Sequence, residues 1–135
     1  MAKITFSLAE LKKILVSNAV LPKVILRPKI KGEEIHFVVN TNLPFVQFIP
    51  LSLRYLNYTD NNAIFEISVV NSNLHKTINK FNLMSRLDVP EYIKIDFPKI
   101  YIDVNELLQI KNIRGILLKD ISLKDGQFTI VTISA

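Results

Sequence analysis

Ile100-Tyr101-Ile102-Asp103-Val104-Asn105-Glu106-Leu107 reads as an alternating apolar strand that runs into a helix, because Asp103 is followed three residues later by Glu106, the spacing of a helix-capping box. A version of the octet stands near the N-terminus as Ile4-Thr5-Phe6-Ser7-Leu8-Ala9-Glu10-Leu11, with Ser7 and Glu10 at the equivalent places. The segments downstream of the two octets are alike as well: a short helix, a long apolar strand, a turn and another strand. The sequence therefore predicts β-α-β-β units over 4–41 and 100–135, an internal duplication separated by a hairpin, a helix and a strand. Leu123-Lys124 matches Ile30-Lys31 in this alignment, so the helix-to-strand joint is expected to be three residues shorter in the second unit.

The chain of 135 residues fits a single domain, 1–135, large enough to bury a core without disulfides or metal. A hydrophobic fraction of 49% with only three glycines excludes a disordered chain. Cysteine is absent, which removes disulfide frameworks, zinc ribbons and thiol chemistry and suits a reducing compartment. The mixed opening segment, with Ser7, Glu10, Lys12 and Lys13, has no apolar core of an export signal. No window approaches the roughly 20 apolar residues of a membrane span. A cytoplasmic location is the expectation. The formal net charge of +5 favours anionic partners and also keeps an apolar protein in solution.

Ser7 is expected to cap a helix reaching about Ser17, with Leu8, Leu11, Ile14 and Leu15 on one stripe and Lys12 and Lys13 off it. Beyond it, Val24, Leu26 and Ile30 alternate with Lys23, Arg27, Lys29 and Lys31, which predicts an extended strand with its four cations on one side. Pro22 and Pro28 lack an amide donor and point to a sheet edge or a bulge. Lys31-Gly32-Glu33, Asp60-Asn61-Asn62 and Lys124-Asp125-Gly126 are hairpin turns by composition. In the extended segment expected from Phe45 to Tyr58, Val46 and Phe48 share one parity and Ile49, Leu51, Leu53 and Tyr55 the other. A bulge at Pro50 is expected to turn all of them to one core. Asn71 to about Arg86 reads as an amphipathic helix with Leu74, Ile78, Phe81 and Met84 on its stripe. The fold class expected is α+β: an antiparallel sheet of long, bent hairpins with three amphipathic helices packed against it.

No catalytic arrangement stands out, and the expectation is a protein that is not an enzyme. His36 and His75 are not in ligand spacing, and without cysteine no metal or cofactor site is expected. No glycine-rich phosphate loop or nucleophile elbow occurs. Asp96, Asp103 and Glu106, with Tyr101 between, are the one carboxylate group that could run hydrolysis, but capping accounts for Asp103 and Glu106, and Asp96 falls on the polar side of a strand. Lys23, Arg27, Lys29 and Lys31 are the candidate anion-contacting residues. They lack the aromatic stacking partners of single-strand binders.

Several strands are apolar on both parities, as in Ile116-Leu117-Leu118 and Val69-Val70. A second sheet face covered by a partner, or an apolar groove, would account for this. Amphipathic hairpins alternating with helices and closed by the stretch from Gly115 to Ile130 resemble the plan of bacterial tubular lipid-binding domains. The resemblance implies a long, curved sheet wrapping a helix around an apolar groove for acyl chains, and it transfers no binding residue. The leading expectation is a non-catalytic binding or assembly module with an apolar groove or interface for lipid or another hydrophobic ligand. A cytoplasmic nucleic-acid-binding protein and a structural homo-oligomer subunit without a small ligand are the alternatives.

Overall fold

The computed structural model describes residues 2–17, 23–41, 47–69, 76, 78 and 89–134. Its elements run β1 (Ala2–Ser7), α1 (Leu8–Ser17), β2 (Ile25–Lys31), β3 (Glu34–Asn40), β4 (Phe48–Thr59), β5 (Asn62–Ser68), β6 (Ile93–Asp96), β7 (Lys99–Asp103), α2 (Val104–Ile110), β8 (Ile116–Lys124) and β9 (Gln127–Ser134). The three predicted hairpin turns lie between β2 and β3, β4 and β5, and β8 and β9. Asp60 and Asn61 have φ of 51° and 66°, and Asp125 and Gly126 have 54° and 75°. Positive φ at both central residues gives the turn twist that matches flanking strands.

Both strand-to-helix corners form where the caps stand. The Ser7 Oγ accepts the Glu10 N–H at 3.2 Å, and Glu10 Oε1 accepts the Ser7 N–H at 3.3 Å, a complete capping box. At the second corner Asp103 Oδ1 accepts the Glu106 N–H at 3.0 Å. The Asp103 N–H goes to the Tyr92 carbonyl at 2.8 Å rather than to the Glu106 side chain.

The strands form two antiparallel sheets: six strands in the order β2-β3-β4-β5-β7-β6, and three in the order β1-β9-β8. In the larger sheet, Ile35, Phe37 and Val39 stand opposite Leu53, Leu51 and Ile49, and Ile67 and Phe65 stand opposite Leu53 and Tyr55. Period-two alternation puts all of these on one face. One part of that face, Phe37, Val39, Ile49, Leu51 and Ile67, packs with the buried Ile78. The other part, Tyr55 and Ala63, packs with Phe6, Leu8 and Phe128, so the small sheet lies over it. Each Val, Leu, Ile or Phe among them contributes about 1.5–3 kcal/mol on full burial. Phe128 sits 6.2 Å from Phe6 and 5.4 Å from Tyr55, ring centre to ring centre. The Tyr55 hydroxyl donates to the Ile121 carbonyl at 2.7 Å, and that of Tyr58 to the Leu118 carbonyl at 3.4 Å. Burial, and then the charge of Asp120, raises the Tyr55 pKa; burial, then Asp103 and Asp120, raises that of Tyr58.

The expected α+β fold with three amphipathic helices is therefore corrected. Among the described residues the structure is mostly antiparallel β, with 62% strand against 16% helix, in two sheets and two helices. The physical reason is that a second sheet covers the Tyr55 and Ala63 part of the large sheet's apolar face, and α1 and α2, at ten and seven residues, are too short to do so. Of the helix expected over 71–86, only Lys76 and Ile78 are described, both helical; Val46, Val70 and His75 lie outside the described residues. The two expected units each contain the order β-α-β-β. The helix of the second unit is three residues shorter than α1.

The parity slip in β4 is resolved differently from the expected bulge at Pro50. The register with β3 is continuous from Phe48 to Arg54, so Phe48 points away from the core and is 56% exposed. The irregularity falls between Tyr55 and Asn57. Pro50 is tolerated because pairing with β5 begins only at Ser52, which leaves the proline at a local edge.

The outer face of the large sheet carries a charged row, Glu34, Arg54, Glu66 and Lys99 in register across it, with His36 two residues from Glu34 along β3. Arg54 and Glu66 pair there at 3.0 Å, an exposed ion pair contributing at most about 1 kcal/mol. Among the consecutive apolar residues, Leu118 is buried whereas Ile116 and Ile133 are exposed at the end of the small sheet.

Candidate functional site

β2 is an edge strand of the large sheet, and α1 lies beside it. The two helix faces differ in composition. Leu8 and Leu11 pack into the core with Phe6, Tyr55 and Phe128. Ala9, Lys12, Lys13, Val16 and Ser17, at helical spacing on another side, line an open cleft of about 590 Å³ together with Lys29 and Ile30 of β2. Ala9, Val16 and Ile30 supply an apolar floor, and the ammonium groups of Lys12, Lys13 and Lys29 supply charge. Among the described residues lining it there is no carboxylate. Glu10, the acid within reach in sequence, is held by Ser7 in the capping box, accepting from its N–H and its hydroxyl.

The four cations singled out in the sequence are all exposed, and the structure separates them. A bulge between Leu26 and Lys29 inserts one residue relative to β3, and Arg27 sits on it with φ of 51°. Alternation is thereby reset: Leu26, Lys29 and Lys31 share the face of Val38, His36 and Glu34, which corrects the expected single stripe. Lys23 is in the turn preceding β2. Lys31 stands opposite Glu34. Of the four, Lys29 alone lines the cleft, where it joins Lys12 and Lys13. Those two were legible as a pair lying off the apolar stripe of α1, but the juxtaposition with β2 depends on how the helix docks.

A second, smaller cleft of about 350 Å³ is lined by Asn62, Glu91, Tyr92, Lys94, Asp96, Tyr101, Asp103 and Glu106. It gathers the three carboxylates that stand close together in the sequence, with Asp103 engaged as the cap of α2. Burial raises the Tyr92 pKa. Among the described residues no group of three or more His, Asp or Glu side chains converges as a metal site. The His36 Nε2 is buried without a hydrogen-bond partner and lies 3.9 Å from Glu34. Among the described residues no helix is long and apolar enough to cross a membrane.

Comparison of the chain with protein-family models, with curated proteins and with solved structures gives no match.

Proposed function

We propose that this chain is a non-catalytic binding module whose α1–β2 cleft takes an amphipathic anion. An acyl chain or similar apolar body lies over Ala9, Val16 and Ile30, and a carboxylate or phosphate lies among Lys12, Lys13 and Lys29. The observation that carries the reading is the composition of the cleft: three lysines over an apolar floor with no acid among the described lining residues. Its volume of about 590 Å³ falls in the range of roughly 300–1,000 Å³ usual for small-molecule sites. Ammonium groups suit the task because each offers three donors on a flexible stem. The resemblance to tubular lipid-binding domains points the same way, and the cysteine-free composition suits the cytoplasmic location assigned to the protein in this reading.

Nucleic-acid binding through the β2 cations has less support, because Glu34 and Glu66 are interleaved with Lys29, Lys31, Arg54 and Lys99 on the outer face. A backbone-tracking surface is expected to be basic without such interruptions.

The test is titration of the protein with a long-chain fatty acid and with the matching fatty alcohol, followed by native mass spectrometry or calorimetry. The acid is expected to bind more tightly than the alcohol. The variant carrying Lys12→Ala, Lys13→Ala and Lys29→Ala is expected to lose about tenfold in affinity for the acid, the order expected for charge-assisted hydrogen bonds screened by solvent. Equal affinity of the wild type and this variant, or of the acid and the alcohol, would sink the proposal.

A further inference from the structure

The corner between α2 and β8 exposes three isoleucines on a hydrogen-bonded backbone. Ile110, Ile113 and Ile116 are 50%, 46% and 40% exposed. Helix α2 ends at Ile110 with Lys111 as its C-cap, and Asn112 takes a left-handed conformation with φ of 60°. The Asn112 N–H donates to the Gln109 carbonyl at 3.0 Å and the Ile113 N–H to the Leu108 carbonyl at 2.8 Å. This pair of bonds is the Schellman stop, which usually turns the residue at the place of Ile113 against the last helical turn. The corner is also fastened from below: Asn105 Oδ1 accepts the Leu118 N–H at 2.8 Å, and its amide nitrogen lies 3.3 Å from Asn61 Oδ1. The turn that carries these half-exposed side chains is thus fastened by its own hydrogen bonds.

From Leu107 to Lys119 the chain has three cations, Lys111, Arg114 and Lys119, and no acid. All three cations are exposed. The isoleucines and the cations alternate along the corner. We infer that residues 110–116 form a surface anchor that seats on an anionic lipid bilayer, with Ile110, Ile113 and Ile116 entering the acyl boundary and Lys111, Arg114 and Lys119 at the headgroups. Apolar insertion combined with basic residues is the physical basis of reversible attachment to anionic membranes. A second protein chain fits less well. Three half-exposed isoleucines fall far short of the roughly 800 Å² per partner that a stable interface buries. No aromatic residue lies between Leu107 and Lys119 to anchor one. The anchor is remote in sequence from the α1–β2 cleft and does not rest on a ligand there.

The experiment is co-sedimentation of the full chain with vesicles of phosphatidylcholine, with and without phosphatidylglycerol, at low and high salt. Binding is expected only to the anionic vesicles and to weaken with salt. Ile110→Ser with Ile113→Ser is expected to lower partitioning about tenfold or more. Lys111→Ala and Arg114→Ala are expected to lower it about fivefold each. Because the isoleucines are only half buried, the serine variant is expected to stay folded with a melting temperature lower by only several degrees and to keep the wild-type fatty-acid affinity, so the anchor and the cleft fail separately. Three results would overturn the anchor: no binding of the wild type to anionic vesicles, equal binding by the serine variant, or self-association that the serine variant abolishes without vesicle binding. The last would assign the corner to contact between copies.

Discussion

The hairpins of the two β-α-β-β units are seated in different ways on the same central strand, β4. The first, β2–β3, joins β4 side by side and extends the large sheet, whereas the second, β8–β9, lies across its apolar face and takes β1 as a third strand. Side-by-side docking is satisfied largely by backbone hydrogen bonds, which leaves β2 free to carry Pro28 and the Arg27 bulge at a sheet edge. Face-on docking has no such ladder and depends on side chains: Phe128 against Phe6 and Tyr55, and two phenols donating to β8 carbonyls. The helices differ in the same sense. α1 leaves an open cleft against β2, whereas the shorter α2 is fastened to β8 through Asn105. A shared local pattern thus leads to different sites, because what each hairpin meets decides how it is used.

The strongest way to break this contrast is Phe128→Ala, which empties the centre of the face-on contact. It is expected to cost about 3–5 kcal/mol in urea unfolding, with amide exchange accelerating first in β1, β8 and β9. Uniform acceleration across β2 and β3 as well would mean that the two dockings are not energetically distinct.

Alkaline pH should act on the same contact more gently. Tyr55 and Tyr58 have pKa values raised above the ordinary 10 in the folded chain, so above about pH 10 the unfolded state has released protons that the native state retains. Stability is therefore full below pH 10 and falls as the pH rises beyond it. Unfolding measured across that range should show a shallower decline in Tyr55→Phe than in the wild type. An unchanged slope would remove the tyrosine from the account.

The smallest effect separates the two corners. A double-mutant cycle on Ser7→Ala and Glu10→Ala should give a favourable coupling of about 0.5 kcal/mol. The cycle on Asp103→Ala and Glu106→Ala should give none, because Tyr92 holds the Asp103 N–H.

The features legible in the sequence were those set by near neighbours. The turns at Asp60-Asn61 and Asp125-Gly126 arise from residues that tolerate positive φ, and the caps at Ser7 and Asp103 arise from side chains reaching three residues along the chain. The edge position of β2 was foreshadowed by Pro22 and Pro28. The small sheet was not legible, because β1 finds its partner at the far end of the chain, Phe6 opposite Phe128, and nothing in either strand names the other. The cation stripe failed for a related reason: one residue in the left-handed region at Arg27 inverts the alternation on which it was read. Of the candidate cleft, the sequence offered Lys29 and the paired lysines of α1 separately. Only docking of α1 beside β2 brings them together.

The phenols between the sheets also give the protein a spectroscopic signal of its own. The chain has four tyrosines and no tryptophan, so its intrinsic emission comes from tyrosine alone. Tyr55 is ringed by Phe65 and Phe128, both at 5.4 Å, and its hydroxyl is bonded to a backbone carbonyl, an arrangement that quenches phenol emission. Separation of the small sheet from the large one breaks that bond and wets that ring. The opening of this contact can accordingly be followed in the unlabelled protein, in real time, as a rise in light.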